Sequence, residues 1–200
     1  SGSGRGQTIF GTTINSFTFG GDFHSCNQLV FEHMTIAGTF IGVKWVKGGS
    51  SSWTDVEILG GYSAWYDTRD PNSCNTCPGQ EGTHKFFGST LKVTTTGAEV
   101  PGGNVFLNSC GKNWLWGSEI VLDATTTSAG NSNGFAGITS GGAGNEVHLY
   151  GSNLRLFSGN GSALQSITAI AAASGAQVHS HGTGIDVIGI SPDKPEKLAK

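Results

Sequence analysis

A six-residue phrase, GSTLKV at Gly88, returns as GSEIVL at Gly117, GSNLRL at Gly151 and GTGIDV at Gly182, with spacings of 29, 34 and 31 residues. Recurrence at a period near thirty marks a chain assembled from stacked units, none of which can bury an apolar face alone. Aligned on their first aliphatic residue, the phrases give a column of Leu91, Ile120, Leu154 and Ile185. Two residues on stands a second column of Val93, Leu122, Leu156 and Val187. A period of two puts both columns on one face of a strand. TDVEIL adds Val56 and Ile58 as a fifth, weaker member, and NQLVF around Leu29 supplies a sixth. Five positions before the anchor stand Phe86, Leu115, Leu149 and Ser180. Fifteen after it, in a third strand, stand Phe106, Phe135 and Ala169.

Three short strands per repeat, separated by Gly, Asn and Ser turns, predict an all-β fold: a right-handed, single-stranded parallel β-helix (solenoid) of about six rungs. Handedness rests on the general preference for right-handed parallel crossovers. An antiparallel sandwich, with a strand every 8 to 12 residues, does not account for a phrase that recurs near thirty. The outward position between the two columns reads Glu57, Lys92, Val121, Arg155 and Asp186, which sets Glu57 against Lys92 and Arg155 against Asp186 on stacked strands. Residues 1–190 read as one β-helix domain, with 1–24 an irregular or incomplete first rung and 62–85 a long inserted loop. Residues 191–200 read as a C-terminal tail.

Charged residues are only 12% of the chain and the net charge is −3, which leaves no basic field for nucleic acid or anionic lipid. No run approaches the roughly 18 apolar residues of a membrane span, and SGSGRGQTIF lacks the regions of a signal peptide. Cys26, Cys74, Cys77 and Cys110 allow three readings: a disulfide within or involving CNTC, free thiols, or a thiolate zinc site. Low charge and abundant Ser, Thr and Asn suit an extracellular setting.

The rungs, with NQLVFEHMTIAG and AQVHSHGTGIDVIG, make the chain resemble the pectin-lyase-like β-helices of polysaccharide lyases, polygalacturonases and phage tailspikes over about residues 25 to 190. The resemblance implies architecture, and homotrimers through the tailspike branch, but no activity. The Asn-Thr-Asp, Asp-Asp, Gly-His-Gly and Arg-Ile-Lys segments that mark polygalacturonases are missing here. At His181 a serine, Ser180, stands in place of the first glycine. Paired carboxylates for glycoside hydrolysis are not apparent either.

The strongest acid–base grouping is WYDTRDPNSCNTCPGQEGTHK, with Asp67, Arg69, Asp70, Glu81, His84 and Lys85 within nineteen residues. Of these, Asp67, Arg69, Asp70 and His84 are the candidate catalytic residues of a lyase or hydrolase. His24 and His33, near Asp22 and Glu32, form a second group. On the outward face, four positions before the anchor, stand Phe87, Trp116, Tyr150 and His181. Six before stand Lys85, Trp114, His148 and His179. These two files of rings are read as a glycan-stacking platform, as an interface with a neighbouring chain, or as a surface covered by the protein's own loops. No carboxylate joins His148, His179 and His181 in this reading, so no metal is expected, and no cofactor.

At the amino end, strand-like residues with no capping helix leave an open edge, which predicts docking to a further domain or subunit. Two prolines and five charges in ISPDKPEKLAK end the pairing at the other side. Together these features describe a non-catalytic extracellular, cell-surface or virion-associated structural or attachment protein, glycan-binding through the strip and oligomeric, with a polysaccharide lyase or glycoside hydrolase as the alternative.

Overall fold

The computed structural model describes residues 8–10, 13–16, 18–24, 26–46, 49–68, 82–94, 103–109, 111–124, 135–158, 167–173 and 175–189. Every regular element among them is a strand. The first circuit holds β1 (Thr8–Phe10), β2 (Thr13–Ser16) and β3 (Phe19–His24), the second β4 (Leu29–Gly38) and β5 (Ile41–Val46), the third β6 (Gly49–Gly60) and β7 (Ser63–Thr68). Three-strand circuits follow: β8 (Gly82–Phe87), β9 (Thr90–Thr94) and β10 (Asn104–Asn108), then β11 (Gly111–Trp116), β12 (Glu119–Ala124) and β13 (Phe135–Gly141). Next come β14 (Glu146–Tyr150), β15 (Asn153–Ser158) and β16 (Ile167–Ala173), and finally β17 (Gln177–His181) and β18 (Gly184–Gly189). All pairings are parallel, each strand lying on its copy one circuit earlier, so the all-β parallel solenoid expected from the period is the fold.

A six-stranded sheet runs β16-β13-β10-β7-β5-β3, and a 12-stranded sheet carries the other two faces. The long strands β4 and β6 turn the corner between those faces without a break, and β8 stacks on the first half of β6 while β9 stacks on its second half. At the corner the later circuits place Gly88, Gly117, Gly151 and Gly182, all with φ between +56° and +62°. His33 and Asp55, with φ of 50° and 53°, stand in the same column of the two early circuits. His and Asp tolerate this left-handed region better than most side chains, and here His33 Nδ1 and Asp55 Oδ2 meet at 2.9 Å. A Cβ built on Gly117 meets nothing within 4 Å, so its restriction is of the backbone alone. Gly117→Ala should therefore lower unfolding free energy by about 1–2 kcal/mol in denaturant titration, the cost of left-handed backbone with a Cβ.

The residue after each of the corners at Gly88, Gly117 and Gly151 points inward, and together they form a ladder of hydroxyls. Ser89, Ser118 and Ser152 are buried. The Oγ atoms of Ser118 and Ser152 accept from the amides of Ser89 and Ser118 one circuit earlier, both at 3.3 Å, and Ser89 Oγ accepts from the Val56 amide at 3.3 Å. Each hydroxyl also donates to a carbonyl, Ser89 to Trp53 at 3.1 Å and Ser152 to Leu115 at 3.0 Å. Amides that the corner twists off the regular ladder are thus satisfied.

Ile36, Ile58, Leu91, Ile120 and Leu154 form one buried column, ending in Ile185 on β18, the last described strand. The expected early register differs by two residues: Val56 lies opposite Ser89 and Ile58 opposite Leu91. Glu57 consequently pairs in register with Thr90 rather than Lys92, and Lys92 Nζ reaches Asp123 at 3.8 Å. Without a glycine at Asp55, nothing in TDVEIL marked where its corner falls. NQLVF likewise belongs to the strand before the corner, since Phe31 aligns with Trp53 and Phe86, and the counterpart of GSTLKV is His33–Gly38. Arg155 does register with Asp186.

In the third strand Phe106 pairs with Ile138 and Ile138 with Ile170, while Phe135 pairs with Ile167. The fixed offset of fifteen fails because the connection between the second and third strands changes length from circuit to circuit. Of the segment 62–85, residues 63–68 form β7 and 82–85 open β8. Residues 69–81 lie outside the described part. Aromatic rings fill the early core, with Phe31 stacked on Trp53 at 3.8 Å and Trp65 edge-on to Phe86 at 5.0 Å.

Candidate functional site

Strict alternation on β8, β11, β14 and β17 turns every second side chain outward, and in-register stacking lines up the copies. Phe87, Trp116, Tyr150 and His181 form one file, and Lys85, Trp114, His148 and His179 the other. The two files are therefore brought together as the alternation implies. Their rings lie face on face along the solenoid axis. Centroids are separated by 4.8 Å from Phe87 to Trp116, 5.6 Å from Trp116 to Tyr150 and 4.7 Å from Tyr150 to His181, with planes within 10°. In the second file Trp114 to His148 is 5.3 Å and His148 to His179 is 4.4 Å. A ring sandwiched in this way covers its faces with its neighbours and turns only its edge to solvent.

A carboxylate does join the imidazoles. Glu146, two residues before His148, shares its outward face, and its Oε2 lies 3.0 Å from His148 Nε2. Lys112, one strand earlier in register, places Nζ 2.8 Å from Glu146 Oε1. These two hydrogen bonds, Lys112's first, hold the Glu146 carboxyl below its ordinary range despite partial desolvation. The period that locates His148 also locates Glu146, two residues ahead of it on the same strand.

The acid–base candidates sit elsewhere. Asp67 is wholly buried on β7 and points into the core, and His84 is wholly buried on β8. Neither Asp67 oxygen has a protein hydrogen-bond partner among the described residues, and desolvation raises its carboxyl well above the ordinary 3.8. His84 Nδ1 meets Ser51 Oγ at 2.7 Å, its ring lies edge-on to Trp45 at 4.7 Å, and burial lowers it from 6.5 to about 3. Two neutral groups inside a sealed core offer no contact with a polymeric substrate, which must lie on the outer surface. Arg69, Asp70 and Glu81 fall outside the described residues, as do Cys74, Cys77 and Cys110. Cys26 is buried, with Sγ 3.5 Å from the His24 carbonyl. His24 pairs with Asp22 at 2.7 Å.

An open groove of about 340 Å³ on the outer side of the six-stranded sheet is lined by Phe19, Phe40, Ile41, Lys44, Tyr62 and Tyr66. Phe40, 41% exposed, stacks on Tyr62 at 4.7 Å, and the Lys44 ammonium lies 5.1 Å from the Phe19 centroid. Phe40 and Tyr62 fall in short turns between strands, where alternation gives no signal. No helix among the described residues is long and apolar enough to cross a membrane. No known protein family matches the chain, and no curated protein or solved structure matches it.

Proposed function

We propose that this chain is a non-catalytic structural or attachment module of the pectin-lyase-like kind, extracellular or carried on a virion, and homo-oligomeric. The observation that carries this reading is the placement of the titratable groups. The carboxylate and imidazole suited to acid–base work, Asp67 and His84, are buried in the core, and the inner rings of the outward files, Trp116, Tyr150 and His148, are stacked on both faces. A stiff ladder of cross-rung contacts suits a spacer or shaft more than a reaction centre. Incubation with acidic and neutral polysaccharides should yield no new reducing ends and no unsaturated-uronate absorbance. Turnover that disappears on changing Asp70 or His84 would replace this reading with the lyase or hydrolase alternative. Light scattering should give a mass above that of one chain, a trimer being the form that the tailspike resemblance favours.

Glycan attachment is a finer version of the same reading, and the groove favours its own location for it. Sugars stack on ring faces, and Phe40 is 41% exposed with one face on Tyr62, whereas Trp116 is stacked on both faces by Phe87 and Tyr150. Retention on an immobilised glycan that survives Trp114→Ala and Trp116→Ala but disappears in Phe40→Ala is the expected pattern. The reverse pattern would return the binding face to the strip.

A further inference from the structure

We propose that Glu146, His148 and His179 form a binding site for a divalent transition-metal ion of the zinc type, bridging two successive rungs of the solenoid. Alternation on β14 sets Glu146 and His148 side by side, and the parallel register with β17 sets His179 directly over His148. One ligand atom from each of the three lies within 4.8 Å of the others.

A tetrahedral ion with bonds of about 2.0–2.1 Å holds its ligand atoms about 3.3 Å apart. His148 Nε2 and Glu146 Oε2, at 3.0 Å, already stand close to that spacing. His179 lies 4.4 Å away centroid to centroid with its plane within 10° of His148's, so a tilt of its ring turns the lone pair toward the shared ion.

Two imidazoles and one carboxylate are a set that zinc takes with one position left for water. Calcium and magnesium ask for six or more oxygens, which this face does not offer. The supporting contacts are also present. Lys112 occupies Oε1 of Glu146 and leaves Oε2 facing the histidine. Trp114 stacks on His148 at 5.3 Å and fixes its ring plane. Such outer contacts tune a site by 10- to 100-fold. Bridging β14 to β17, the ion would clasp the last described rung to the one before it.

The test is calorimetric titration of the whole chain with zinc sulfate at neutral pH, with circular dichroism to confirm the fold of each variant. The parent should take up one more equivalent of zinc than the His148→Ala/His179→Ala double variant, and the comparison of equivalents subtracts zinc held by thiols. Glu146→Gln, which keeps the side-chain shape, should weaken that equivalent at least tenfold. His24→Ala and His33→Ala should leave it unchanged. Cupric ion at the same equivalent should quench tryptophan emission, less so in Trp114→Phe. Equal stoichiometry and affinity in the folded double variant, full affinity in Glu146→Gln, or no zinc uptake at millimolar metal would each overturn the proposal.

Discussion

Unfolding free energy should rise with pH up to 3.8 and go level as pH passes that value, because two buried neutral groups pull in opposite directions. His84 titrates at about 3 in the folded chain and at 6.5 when unfolded, so between these values the unfolded state binds the extra proton. Stability therefore rises with pH across that range by about 1.4 kcal/mol per unit. Asp67 is raised well above 3.8, so above that value the folded state holds the extra proton and stability falls with pH at the same slope. The slopes cancel where both act. Below 3.8 only the histidine acts among the two, and stability drops with acid; above 6.5 the histidine no longer contributes a slope. Glu146, held low by Lys112, steepens the acid limb.

Denaturant titrations at half-unit pH steps would show the level stretch directly. Asp67→Asn should remove the opposing slope, so that stability keeps rising with pH from 3 to 6.5. A profile for Asp67→Asn that goes level above pH 3.8 as the parent's does would show that Asp67 is not the group responsible.

Trp53→Ala should cost about 3–5 kcal/mol, the range for removing a buried indole or phenyl ring. Trp53 lies flat between Phe31 at 3.8 Å and Phe86 at 6.0 Å, touches Trp65 edge-on at 5.5 Å, and donates from Nε1 to Ser51 Oγ at 2.6 Å. Its loss opens a cavity between circuits and also removes the donor that fixes the hydroxyl facing His84. In a solenoid each circuit contacts chiefly its neighbours, so a breach at β6 should separate the early circuits from the later ones. Equilibrium unfolding of Trp53→Ala should then show two transitions where the parent shows one. Trp53→Phe keeps the stack and should lose much less. A single transition with a loss under about 1 kcal/mol would mean that the core closes over the gap.

The outward files were legible from sequence because in-register parallel stacking repeats one phase of alternation in every circuit. Phe87, Trp116, Tyr150 and His181 had to share a face once Gly88, Gly117, Gly151 and Gly182 shared a corner. The burial of His84 was legible by the same rule, since it stands two residues before the inward Phe86, and so was Asp67, two after the inward Trp65. The polar composition around both residues masks that phase. The early register was not legible, because His33 and Asp55 make the corner without a glycine to announce it.

By itself, then, the sequence determined the period, the inward aliphatic columns and which residues share an outer face, because these follow from alternation repeated at fixed phase. Only the tertiary structure decided the rest. It turned the rings face to face so that their edges meet solvent, brought the Glu146 carboxylate to the histidines, and set Phe40 and Tyr62 at one groove. Ring orientation and the meeting of residues from turns depend on side-chain packing across circuits, and no local pattern along the chain encodes that.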